Sequence, residues 1–135
     1  PAFPPAAPFG GSPPPAFSPR GPPPQRAPPA TPGLNRKLLS RMDGPMAGYE
    51  TVTMEVEIDA NVMVGRHTHP GIEAGYVVSG EIELPIEGQP TKTLKAGDGS
   101  QIPPNTPHAG TKSTGKVKLV STYVVEKGKP LASPA

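Results

Sequence analysis

The sequence contains no cysteine and no tryptophan, and aromatic residues of any kind are few. Without cysteine, disulfide bonds and thiolate metal ligands are excluded, and the redox compartment stays open. The three phenylalanines all lie near the start of the chain, at Phe3, Phe9 and Phe17. A core in the rest of the chain must therefore be built mainly from aliphatic side chains and methionine.

Charge is nearly balanced, and long apolar runs are missing. The formal net charge is +2, and the basic residues are scattered without interleaved aromatic residues, which argues against nucleic acid as a partner. No apolar run approaches the ~20 residues that a membrane-spanning helix needs, so no membrane partner is expected. The chain begins at Pro1 instead of methionine, and removal of an export signal is one explanation. A secreted or periplasmic location is therefore an expectation.

Proline is abundant but unevenly distributed. Fourteen of the 23 prolines lie in residues 1–32, a stretch without Val, Ile or Leu. Such a composition cannot bury a core of its own and favours polyproline II and open turns. We therefore predict a Pro-rich arm over residues 1–33 and a folded domain over residues 34–135. For the arm, a disordered tail and a segment that docks on a neighbouring subunit remain alternative interpretations.

The folded part is rich in Val, Ile, Thr and Gly, which suits strands and tight turns. Residues 51–58 (TVTMEVEI) alternate between apolar and polar side chains, as a half-buried strand does. A short first strand, with a helical turn as the alternative, is predicted within residues 34–50. Further strands are predicted at 62–69, 73–79, 81–86, 91–94, 100–102 and 117–125. Strands spaced in this way, with turn residues between them, predict an antiparallel sandwich or barrel.

The three histidines of the chain lie in two short stretches. The first, residues 65–80, reads G-R-H-T-H-P-G-I-E-A-G-Y-V-V-S-G. His67 and His69 are two residues apart, so a strand directs both imidazoles to the same face, and Glu73 follows across a Pro-Gly corner. The second stretch, residues 97–108, reads G-D-G-S-Q-I-P-P-N-T-P-H and ends in His108.

These two stretches resemble the two signatures of the cupin superfamily. In the first signature, two histidines separated by one residue are followed by a glutamate and, seven residues after the glutamate, by a glycine. The matching residues are His67, His69, Glu73 and Gly80. The second signature is matched, at the expected separations, by Gly97, Pro103 and His108.

The sequence departs from the signatures at Asn61 and Asn105, which stand where the family usually has glycine. Asparagine is the non-glycine residue that best tolerates a positive φ, so both turns are expected to survive the change. The resemblance covers about residues 34–131. It implies an all-β double-stranded β-helix, the cupin jelly-roll barrel.

The resemblance also implies that one divalent transition metal is bound by His67, His69, Glu73 and His108. Three neutral imidazoles and one carboxylate suit Mn, Fe, Ni, Zn or Cu, and the choice among them stays open. Four protein ligands in an octahedral centre leave two positions for water or substrate, which is typical of a reactive site. Weaker candidates for contact with a ligand are Tyr76, Tyr123 and Gln101.

Two functions remain as alternatives. The first is a metal-binding cupin that acts on or binds a small organic molecule. The family includes dioxygenases, isomerases, lyases and binding proteins, and no catalytic residue is indicated. The second is a structural, self-assembling extracellular cupin whose arm docks on neighbouring subunits. A homodimer or larger assembly through barrel faces and arm is expected. The reason is that residues 117–125 carry apolar side chains at both odd and even positions, and so on both faces of the predicted strand.

Overall fold

A computed structural model describes residues 31–111 and 113–135, which form ten strands and no helix. The strands are β1 (Leu34–Asp43), β2 (Tyr49–Ile58), β3 (Val64–Thr68), β4 (Gly71–Ser79), β5 (Glu81–Leu84), β6 (Lys92–Lys95), β7 (Gly99–Ile102), β8 (His108–Gly110), β9 (Val117–Glu126) and β10 (Ser133–Pro134). Within the described residues, no helix is long and apolar enough to cross a membrane. Most of the predicted arm, residues 1–30, lies outside the described residues, so the arm remains a prediction.

The strands form three antiparallel groups around an apolar core. The five-stranded sheet has the order β1-β2-β9-β4-β7, the three-stranded sheet has the order β10-β3-β8, and β5 and β6 form a hairpin. The largest core cluster combines side chains from β2, β4 and β9 with side chains from β5 and β6. This arrangement confirms the predicted antiparallel all-β fold.

Strands β2 and β9 pair along their full length, from Tyr49 opposite Glu126 to Ile58 opposite Val117. The predicted apolar face of β2 points into the core, where Val56 and Ile58 are buried. Residues directly opposite each other on neighbouring strands share a face, so the inward face of β9 follows from that of β2. Its buried members are Val117, Ser121, Tyr123 and Val125.

Three turns adopt the left-handed backbone that the sequence requires. The φ angles are 62° at Asn61, 54° at Asn105 and 86° at Gly80. The prediction that asparagine replaces glycine in two of these turns without loss of the turn is therefore confirmed. The Asn105 N–H donates to the carbonyl of His69 at 2.9 Å, which ties this turn to the histidine stretch.

The structure corrects several details of the predicted strands. A strand covers Leu34–Asp43, so the helical-turn alternative for this segment is wrong. The strand predicted at 62–69 is shorter and runs from Val64 to Thr68. Strands β8 and β10 were not predicted, because segments of three and two residues are too short to show periodicity. Strand β10 pairs with β3 next to His67 and supports the histidine stretch from the sheet edge.

Candidate metal centre

The fold brings His67, His69, Glu73 and His108 together from both sheets. His67 lies in β3 and pairs with His108, the first residue of β8, in the three-stranded sheet. His69 follows β3 directly, and Glu73 lies on β4 of the five-stranded sheet. One ligand atom from each of the four side chains lies within 4.8 Å of the others. The four side chains predicted from the sequence thus form one compact cluster.

Backbone carbonyls orient all three imidazoles in the same way. The Nδ1 atoms of His67, His69 and His108 bond to the carbonyls of Gly65 at 2.7 Å, Leu131 at 2.7 Å and Thr106 at 2.9 Å, respectively. Because a carbonyl oxygen only accepts, each Nδ1 carries a proton. In a neutral imidazole, Nε2 then holds the lone pair that a metal ion needs.

The spacing of the ligand atoms matches a coordination shell. Oε2 of Glu73 lies 2.9 Å from Nε2 of His69 and 3.1 Å from Nε2 of His108. Two ligand atoms that each lie ~2.1 Å from a metal ion, with a right angle between the two bonds, are separated by roughly 3.0 Å. Despite its short distance to Glu73, the buried His69 Nε2 makes no hydrogen bond. A buried acceptor without a partner is costly, and a metal ion would satisfy it. The donor set therefore fits a divalent metal.

Glu73 is held as a charged carboxylate. The Ser121 hydroxyl donates to Oε1 at 3.1 Å, which leaves Oε2 directed at the histidines. Burial acts to raise the pKa of Glu73, but the hydrogen bond to His108 and the electrostatic effect of the two neighbouring imidazoles, His69 and His108, outweigh burial. The pKa of Glu73 is therefore well below its usual range, and the side chain carries its negative charge at neutral pH.

The protonation of the histidines differs within the cluster. Burial lowers the pKa of His67 to about 4, so this imidazole is neutral at neutral pH. Burial also acts to lower the pKa of His108, but the hydrogen bond to Glu73 outweighs it and raises the pKa. A proton on His108 Nε2 therefore competes with a metal ion for the same lone pair.

The cluster lines a cavity of about 80 Å³ between the sheets. Apolar side chains supply most of the remaining lining, among them Leu34, Val64, Leu84 and Leu119. The polar residues that line the cavity besides the cluster are Arg36, Ser100, Ser121 and Tyr123. The cavity thus offers an apolar space beside the four ligand atoms, which suits a small organic molecule.

Tyr123 lies beside the cluster, whereas the other weaker candidates do not. Its ring centroid is 4.8 Å from that of His69, and its side chain is buried. Burial raises the pKa of Tyr123 and the charge of Glu73 raises it further, so the phenol stays protonated. Tyr76 is 51% exposed, and Gln101 is also exposed; neither lines the cavity.

Two polar residues of the cavity, Ser121 and Arg36, were missed by the sequence analysis. Ser121 lies between Leu119 and Tyr123 on the inward face of β9. Arg36 holds the equivalent place between Leu34 and Leu38 on β1. On β9, the available signal was a single serine within an otherwise apolar face, whereas β1 carries polar residues at both odd and even positions and gave no such signal.

Comparison with known proteins places the chain in a family. The profile described as Cupin domain matches residues 54–125, which is more than half of the chain. The chain therefore belongs to the cupin domain family. A search of curated protein sequences finds no relative that matches it.

Solved structures confirm the double-stranded β-helix fold. The structure of the DMSP lyase DddQ from Ruegeria pomeroyi DSS-3 superposes with a TM-score of 0.65 at 21% identity, covering 76% of this chain and 51% of DddQ. KdgF from a Halomonas species superposes with a TM-score of 0.62 at 21% identity, covering 76% of this chain and 90% of KdgF. A cupin-like protein from Thermotoga maritima MSB8 superposes with a TM-score of 0.62 at 21% identity, covering 76% of this chain and 75% of that protein. The chain thus spans about half the length of DddQ, and these likenesses concern the fold.

Proposed function

We propose that this chain is a metal-binding cupin that binds a small organic molecule in the cavity beside the metal. The metal is one divalent transition ion, held by His67, His69, Glu73 and His108. The observation that carries the proposal is the shared orientation of the three imidazoles. Each Nδ1 donates to a backbone carbonyl, so Nε2 is the atom of each imidazole that is left to ligate a metal ion beside one charged carboxylate.

The chemistry of the donors defines the class of function. A divalent ion in such a site acts as a Lewis acid that polarises an oxygen of a bound molecule. Ser121 fixes the carboxylate of Glu73, and the Tyr123 hydroxyl beside it stays protonated. Apolar side chains form most of the rest of the cavity lining. One structural neighbour is a DMSP lyase, which supports action on a small organic molecule without specifying the reaction here.

Metal content tests the proposal directly. Purified protein is stripped with a chelator, loaded with Zn²⁺ or Mn²⁺, dialysed and analysed for metal. We expect about one ion per chain for the wild type and almost none for His67→Ala or His108→Ala, because each change removes a lone pair. Circular dichroism establishes that the variants are folded.

The chain offers a matched control at Thr68, which lies between the two histidines of the first stretch. Thr68 does not line the cavity, and it pairs with Ser133 of β10. The Thr68→Ala variant should therefore retain the metal. A folded His108→Ala variant that still holds one ion per chain contradicts the proposed site.

A further inference from the structure

Arg36 occupies an unusual position for a charged residue. It lies in β1, where its Cα partner is Val56, and the neighbouring inward position pairs Leu34 with Ile58. Val56 and Ile58 are buried core residues. Because directly opposite residues share a face of the sheet, Arg36 is directed to the inside of the barrel. It lines the same cavity as the histidine cluster.

The Arg36 charge has no carboxylate partner among the described residues. The lysines and arginines that form ion pairs there are Arg41, Arg66, Lys116, Lys118, Lys127 and Lys129. Other basic residues also lack a partner, for example Lys37, but they do not line the cavity. Of the described residues that line the cavity, Arg36 is the single lysine or arginine and the single exposed residue. A free guanidinium therefore lies where the cavity meets solvent.

Apolar side chains accompany Arg36 in the cavity lining. They include Leu34 on the same strand, Leu84 on β5 and Leu119 on β9. The cavity thus combines three kinds of surface, which are a metal-ligating cluster, an apolar lining and a cationic group. A molecule that matches all three has a metal-binding oxygen, an apolar body and an anionic group.

Arg36 and the metal-ligating cluster share one cavity. Arg36, Tyr123 and the four ligand side chains all line it, and the ring of Tyr123 stands beside that of His69. One small molecule in the cavity therefore meets both the guanidinium and the cluster.

We propose that Arg36 binds the carboxylate of a small organic acid whose opposite, oxygen-bearing end faces the metal centre. This inference rests on the proposed function and adds the substrate class to it. Arginine suits the role because its planar, permanently charged guanidinium donates two parallel hydrogen bonds to a carboxylate. The exposed position lets Arg36 remain hydrated until the ligand arrives.

Calorimetric titration of zinc-loaded protein tests the inference. The probes are levulinate and its two next longer homologues, which carry a ketone and a carboxylate at opposite ends, together with the matching neutral primary amides. We expect at least one keto acid to bind more tightly than its amide. Arg36→Gln should weaken binding of that acid by about tenfold or more and leave the amide unchanged, because a charge-assisted bidentate contact is lost. Arg36→Lys should give an intermediate value.

Lys37→Gln is the matched control, since Lys37 is the next residue of β1, loses the same charge and does not line the cavity. Zinc content and molecular size are measured for every variant. A wild type that retains no zinc overturns the proposed function. Zinc-loaded Arg36→Gln that binds the acids as tightly as wild type overturns only the inference, as does a wild type that never prefers acid to amide. An Arg36→Gln protein whose molecular size changes while its acid binding does not also overturns the inference. That result assigns Arg36 to protection of the sheet edge.

Discussion

Replacement of Gly71 by alanine tests the strand register that positions the metal ligands. Gly71 is the first residue of β4, two residues before Glu73, and it lies opposite Val125 of β9. A Cβ atom at Gly71 would lie 1.9 Å from the carbonyl oxygen of Val124 and 2.7 Å from the Cα of Val125. Both contacts involve backbone atoms, which no side-chain rotation can relieve. The clash therefore acts on the pairing of β4 with β9.

The structure gives the size of the effect. Real Cβ contacts essentially never fall below 3.0 Å, so the 1.9 Å contact at Gly71 must open by at least 1.1 Å, the difference between the two distances. Overpacking of a core costs about 1–3 kcal/mol, and a backbone clash belongs at or beyond the upper end. A loss of about 3 kcal/mol lowers the Tm of a domain of this size by roughly 12–24 °C. We also expect weaker metal retention, because Glu73 moves with its strand.

Gly75→Ala provides the control on the same strand. Its nearest atoms would be the side-chain oxygens of Ser100 at 3.1 Å and Ser121 at 3.7 Å, and small rotations relieve both contacts. We expect a change of less than about 1 kcal/mol. Thermal unfolding of metal-free protein, followed by circular dichroism, measures both variants. A Gly71→Ala protein whose Tm lies within about 3 °C of wild type refutes the packing of β4 on β9 described here.

Four further outcomes are expected. Metal affinity is measured by chelator competition between about pH 5 and 8. It should begin to fall at a pH above the ordinary histidine pKa of about 6.5, because the raised pKa of His108 keeps a competing proton on Nε2. An affinity that does not change with pH contradicts this. Ser121→Ala should lower metal affinity about tenfold, because the carboxylate of Glu73 loses the hydrogen bond that holds it. Thr122→Val, on the outer face of β9, should leave metal affinity unchanged. Equal metal affinities of Ser121→Ala and wild type contradict the role of Ser121. Light scattering should show that the protein is at least dimeric. Tyr76→Glu, which places a charge on the exposed apolar face of β4, should dissociate the dimer. A monomeric wild type refutes the expectation. Deletion of residues 1–33 should leave a metal-loaded barrel that no longer forms larger assemblies, and unchanged assembly counts against a connecting arm.

Much of the fold was predictable because alternation in the sequence is strong where one face of a strand is buried. Residues 51–58 alternate over eight residues, whereas residues 117–125 form a long run rich in Val with apolar residues on both faces; both segments form strands of the five-stranded sheet. Strand β8 spans three residues and β10 two, so neither contains a pattern to detect. Their pairing with β3 is fixed by distant parts of the chain.

The candidate site was predictable only where its residues form a motif. His67, His69 and Glu73 are close in sequence, and His108 ends a second stretch with recognisable turn residues. Arg36 and the Leu131 carbonyl come from segments far from both stretches, and only the folded chain shows that they contribute to the cavity or support an imidazole. Their distance in sequence from the motifs explains why sequence reasoning missed them.

One divalent metal is proposed to lie among the four ligand atoms. The most direct measurement is an anomalous difference map from a crystal of the zinc-loaded protein. We expect a single strong peak about 2.0–2.2 Å from Nε2 of His67, His69 and His108 and from a carboxylate oxygen of Glu73. A map with no peak at this position, or with the zinc bound elsewhere on the chain, contradicts the claim.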